Sequence, residues 1–115
     1  MKPSVWLKRI LLFQGIYYII TGIWPILHIP SFIAVTGDKT DIWLVKMVGA
    51  LAATIGIYLI YSIRNYPARL LAILSAISFG TVDVYYVYQD VILPIYLSDA
   101  VVEAILLILL LIIKK

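Results

Sequence analysis

Four apolar stretches, separated only by short polar turns, constrain this chain more than anything else in it. A helix needs about 20 predominantly apolar residues to cross a bilayer, so four crossings nearly consume the 115 residues. The expectation is therefore a single membrane domain over 1–115, with spans at about 5–27, 42–61, 70–88 and 94–113 and no appended soluble domain. Hydrophobic residues make up 64% of the chain and charged ones 13%, whereas soluble domains are roughly 45–50% apolar. The spans are expected to be helices, because a segment in lipid must satisfy its own backbone polar groups and none here alternates as a barrel strand does. Short connections make neighbours antiparallel. The expected fold is all-α, an antiparallel four-transmembrane-helix bundle.

The first stretch follows Lys2 and carries Lys8 and Arg9 in its first turns, with Trp6 beside them. Its apolar run exceeds the roughly 7–15 residues of a secretory signal, and no small-residue cleavage pattern follows, so it reads as a retained span. Pro25 is expected to kink it near its end. Thr40 or Asp41 can cap the second span, and Pro94 favours the start of the fourth.

The charges orient the spans. With the N-terminus inside, Lys2, Lys8, Arg9, Arg64, Arg69, Lys114 and Lys115 fall on the cytoplasmic side with no acid among them. All six acids fall in the outer half, together with Lys39 and Lys46, and the two sides combine to the net +3. This is a positive-inside pattern, with Trp6 at one interface and Trp24 and Trp43 at the other. It implies a bacterial cytoplasmic (inner) membrane protein with both termini cytoplasmic. The lipid bilayer, rather than nucleic acid, is then the partner that the basic balance serves.

Ionisable groups within spans are costly, by about 2.5–3.5 kcal/mol on insertion scales, and so mark candidate sites. At about 1.5 Å per residue from each span's midpoint, Lys46 lies about 9 Å and Asp83 about 6 Å toward the outside. Asp99 sits at a similar depth and Glu103 near the midplane. Lys46 shares a helical face with Gly49, Ala53 and Gly56, and Asp83 shares one with Gly80, Ala76 and Ala72, the small residues that membrane helices use to pack closely. Asp99 and Glu103 are i and i+4 neighbours beside Ala100 and Ala104. Gln14, Tyr17, Tyr18 and Thr21 form one face of the first span, and Tyr85 or Tyr86 could reach the same interior. The expected ligand-binding set is therefore Lys46, Asp83, Asp99, Glu103, Tyr86 and Gln14, opening outward. One lysine neutralises one carboxylate, so such a cluster could take up a proton or a cation. The alternative is structural: a Lys46–Asp83 ion pair stapling two helices, with Asp99 a first-turn residue near the interface.

Much other chemistry is excluded. The chain has no cysteine and one histidine, His28, so thiolate nucleophiles, thiolate metal sites and bis-histidine haem within one chain are ruled out. A three-ligand zinc site would need to be nearly all carboxylate, and no metal or cofactor is expected. No phosphate loop, nucleophile elbow or dinucleotide fingerprint occurs.

The segments Thr36-Gly37-Asp38-Lys39-Thr40-Asp41-Ile42-Trp43-Leu44-Val45-Lys46 with Val48-Gly49, then Asp83-Val84-Tyr85-Tyr86, and Ile95-Tyr96-Leu97-Ser98-Asp99-Ala100 with Glu103, resemble a group of small bacterial four-helix membrane proteins of no assigned activity. The resemblance covers residues 36 to 103 and implies a family without a function. In outline the chain is also similar to small multidrug resistance transporters. Their membrane-embedded glutamate lies in the first helix, where this chain has Gln14. DoxX-like and sterol-isomerase-like proteins are similar in shape only. Three functions follow as expectations. One is a site binding or carrying a proton, cation or small polar solute, as a homodimer if it transports. The others are a noncatalytic accessory subunit of a larger membrane complex, and a lipid enzyme using acid/base carboxylates. Every intramembrane charge lies at or outside the midplane, which favours binding over transport and leaves an enzyme the weaker expectation.

Overall fold

The computed structural model describes residues 5–113; Lys2, Lys114 and Lys115, which carry part of the charge asymmetry, lie outside it. The described residues are helical without strands, in the order α1 Val5–Leu27, α2 Ile29–Thr36, α3 Ile42–Ser62, α4 Arg69–Tyr88 and α5 Tyr96–Ile112. Three of these, α1, α3 and α4, are long and apolar enough to cross a membrane. α5 is apolar and has 17 residues. The fold is a slab with extents of 48 × 28 × 16 Å, whose long dimension compares with a bilayer of about 40–45 Å including headgroups. Large apolar side chains such as Leu51, Ile57, Leu74, Val82, Ile105 and Ile108 stand exposed on its faces.

The helices associate as two pairs. α1 lies along α3, α4 lies along α5, and α1 supplies the main contacts between the pairs, touching both α4 and α5. α1 and α3 approach closely because glycine meets glycine twice. A Cβ on Gly15 would stand 2.7 Å from the Gly56 carbonyl oxygen, and one on Gly56 would stand 2.5 Å from that of Gly15. Gly22 and Gly49 face each other in the same way, with Ala52 and Ala53 beside them. The glycines repeat every seven residues on both helices, the period that keeps one seam facing its partner when helices coil left-handedly. Below this seam, away from α2, Leu7, Leu11, Leu59, Leu106 and Leu110 are almost fully buried and fill the space between all four long helices.

Helix ends follow local chemistry. α1 runs through Pro25 and stops two residues later, and a one-residue break at His28 turns the chain into α2, with Pro30 in the first turn. Trp24 Nε1 donates to Ser31 Oγ at 2.8 Å, and the Trp24 ring meets Phe32 edge-on, which folds α2 back over α1. This short helix interrupts what the sequence presents as an apolar tail and polar turn. Asp41 occupies the N-cap position of α3, but its side chain makes no capping bond. The expected cap is thus corrected: the backbone oxygen of Asp41 accepts from Leu44 and Val45 instead. α5 opens on tight i→i+3 bonds from Tyr96 to Leu93 and from Leu97 to Pro94, which explains why regular helix begins two residues after the proline. At its other end Arg69 Nη2 donates to Leu111 O, placing a cation at the negative end of α5.

Candidate functional site

The pairing of helices leaves a wedge toward the α2 end. α3 and α5 scarcely touch there, and a cavity of about 530 Å³ lies between them, closed at the back by α1 and α4 and covered by α2. Its walls are apolar and aromatic, including Trp24, Pro25, Phe32, Val45, Val48 and Phe79, and Asp83, Asp99 and Glu103 line it together with Tyr17 and Tyr18. A largely apolar pocket with a few converging polar groups is the usual form of a small-molecule site.

Each polar group is held by a named partner. Tyr17 donates from its hydroxyl to Asp99 Oδ1 at 2.5 Å, joining α1 to α5. Tyr18, 1% exposed, donates to Glu103 Oε1 at 2.6 Å and accepts from Gln14 Nε2 at 3.0 Å. Gln14 Nε2 also donates to Ala72 O, tying α1 to α4. Asp83, Asp99 and Glu103 line the same cavity, and the Asp99 charge acts on both of the others. Glu103 can sit against α4 because Gly80 leaves room: a Cβ there would stand 3.3 Å from Glu103 Cβ. Two buried acceptors, Asp83 Oδ2 and Gln14 Oε1, have no hydrogen-bond partner among the described residues.

The structure brings together Asp83, Asp99, Glu103 and Gln14 from the expected set. Lys46 is a correction. It is partly buried on α3, does not line the cavity, and is not among the charges acting on Asp83 or Glu103. The reason is that its face, marked by Gly49, Ala53 and Gly56, packs on α1, whereas the carboxyls come from α4 and α5. Tyr86 is a second correction. It is 41% exposed, edge-on to Tyr85, and does not line the cavity, because α1 meets α4 only sparsely and the last turn of α4 stays at the surface.

The residues that sequence reasoning left out of the site are Tyr17, Tyr18 and Lys39. The tyrosines were legible as neighbours of Gln14 on one helical face. Lys39 was not, since it sits in a turn that α2 folds over the cavity mouth. Its ammonium group donates to Thr36 O at 3.0 Å, Thr36 Oγ1 at 3.2 Å and Gly37 O at 2.8 Å, and lies 5.3 Å from the centre of the Tyr96 ring. All three of its donors are thereby used on the C-terminal end of α2. Among the described residues no group of three His, Cys, Asp or Glu side chains is arranged to hold a metal ion. Compared with protein-family models, curated proteins and solved structures, the chain matches none.

Proposed function

We propose that this chain is a four-span protein of a bacterial cytoplasmic membrane, with both termini inside and α2 outside, that binds a small amphipathic molecule in its acid-floored cavity. The observation that carries this reading is the grouping of Asp83, Asp99 and Glu103 within an apolar-walled cavity of about 530 Å³. A pocket of that kind suits a molecule with an apolar body and one polar head. The leucine layer of Leu7, Leu11, Leu59, Leu106 and Leu110 closes the opposite half, so access from the α2 end alone supports binding rather than passage. For the fourth span, α5 is 17 residues long, at the lower bound of the roughly 17–25 that cross a bilayer. Its exposed Val101, Ile105 and Ile108 suit lipid.

Topology and binding are tested separately. The chain has no cysteine, so single cysteines report cleanly on exposure to a membrane-impermeant maleimide in intact cells. Asp38→Cys and Asp90→Cys are expected to label, and Asn65→Cys and Lys114→Cys to label only after permeabilisation. Labelling of Lys114→Cys in intact cells would remove the fourth span. For binding, adamantanol titrated calorimetrically into the protein in lipid nanodiscs is expected to bind saturably, and Val48→Trp, which fills the cavity from α3, is expected to abolish binding while the helical circular dichroism stays unchanged. Unaltered binding in Val48→Trp would sink the assignment of this cavity.

A further inference from the structure

The hydrogen-bonding groups around the cavity floor do not balance. Asp83, Asp99 and Glu103 offer six carboxyl oxygens, and Gln14 adds an amide oxygen. The donors that reach this layer from side chains are the Tyr17 and Tyr18 hydroxyls and Gln14 Nε2, which spends itself on Tyr18 and Ala72 O. The shortfall is concrete at Asp83. The residue is 7% exposed, it lines the cavity, and among the described residues no hydrogen-bond partner reaches its Oδ2. Gln14 Oε1, fully buried, is a second acceptor without a donor. Buried acceptors without donors are costly and seldom left so.

The charges are as lopsided as the hydrogen bonds. Lys39 is the basic residue that lines the cavity, and its three donors are committed to Thr36 and Gly37. Lys46 lies elsewhere. Protons shared among the carboxyls would relieve the repulsion, but a proton needs no apolar chamber above it. The chamber lies between α3 and α5 with apolar and aromatic walls, which suits a ligand with an apolar body.

We propose that the ligand of this cavity is a lipophilic amine whose ammonium N–H group donates to Asp83, with its apolar body against Val45, Val48 and Phe79; this rests on the cavity-binding reading above. The N–H donor together with the positive charge sets the preference, so a quaternary ammonium of the same shape is a poorer ligand. The charge attracts both, while only the amine fills the missing donor.

The test uses adamantylamine, adamantanol and the trimethylammonium analogue, titrated calorimetrically into the full chain in nanodiscs of zwitterionic lipid, with protein-free nanodiscs as the blank. Adamantylamine is expected to bind at least about tenfold more tightly than either analogue. Asp83→Asn is expected to remove that preference while adamantanol binding is retained, which also shows that the variant is folded. Equal affinities for amine and alcohol would overturn the amine assignment and leave the binding reading standing. Preference for the trimethylammonium compound would overturn the donor argument. If no probe binds a folded protein, both readings fall.

Discussion

Gly22→Val and Gly49→Val are each expected to destabilise the protein by about 3 kcal/mol or more, the upper end of what overpacking a core costs. The reason is the nature of the obstacle. A Cβ at either position meets backbone of the facing helix, not the end of a flexible side chain, so α1 and α3 must separate along their whole seam. With α1 displaced, the contacts that hold α4 and α5 to the rest are lost too, since α1 supplies the main contacts between the two pairs. Ala50→Val, on the exposed face of α3, is the control and should stay within about 0.5 kcal/mol. Reversible unfolding in mixed micelles measures all three. Native stability in Gly22→Val would mean that the glycine seam does not set the α1–α3 approach.

Tyr18→Phe is expected to cost about 1–3 kcal/mol, because it strands two buried groups at once. Glu103 Oε1 loses its donor and Gln14 Nε2 loses one of its two acceptors. An average side-chain hydrogen bond inside a membrane protein is worth only about 0.6 kcal/mol, so a loss near that value would show that water or a neighbouring carboxyl replaces the hydroxyl. Glu103→Gln keeps an oxygen that accepts from Tyr18 and should cost less than Tyr18→Phe. The double variant Tyr18→Phe with Glu103→Leu should cost less than the two single changes together, because it removes the orphaned acceptor along with its donor. Strict additivity, read from the same unfolding measurements, would rule out direct coupling between the two side chains.

The helices themselves were legible because their cause is local. A long, mostly apolar run in a chain of this composition is expected to be helical, and α1 ends where the run does, while α3 and α4 differ from the expected bounds by a residue. α2 was not separable from its surroundings, since its definition depends on Trp24 reaching Ser31 and Phe32 across the break at His28. The seven-residue spacing of Gly15 with Gly22 and of Gly49 with Gly56 stood in the sequence as a sign of a paired seam. It marks which helices can approach, although composition alone does not say that they pair with each other.

The site divides along the same line. Helical periodicity sufficed to turn Asp83, Glu103 and Gln14 inward, because a side chain's angle around its own axis follows from its position. The partner across the interface does not. Lys46 is partly buried on α3 yet does not line the cavity, whereas the carboxyls of α4 and α5 do, with Tyr17 donating to Asp99 and Tyr18 to Glu103. The sequence by itself determined an apolar helical chain with its acids toward one end and its polar residues turned inward. Only the tertiary structure decided that the lysine stays out of the cavity that Asp83, Asp99 and Glu103 line together, leaving the three carboxyls with their balance of charge and donors unmet. The physical reason is that burial is a property of one helix face, while neutralisation is a property of the pair that meets there.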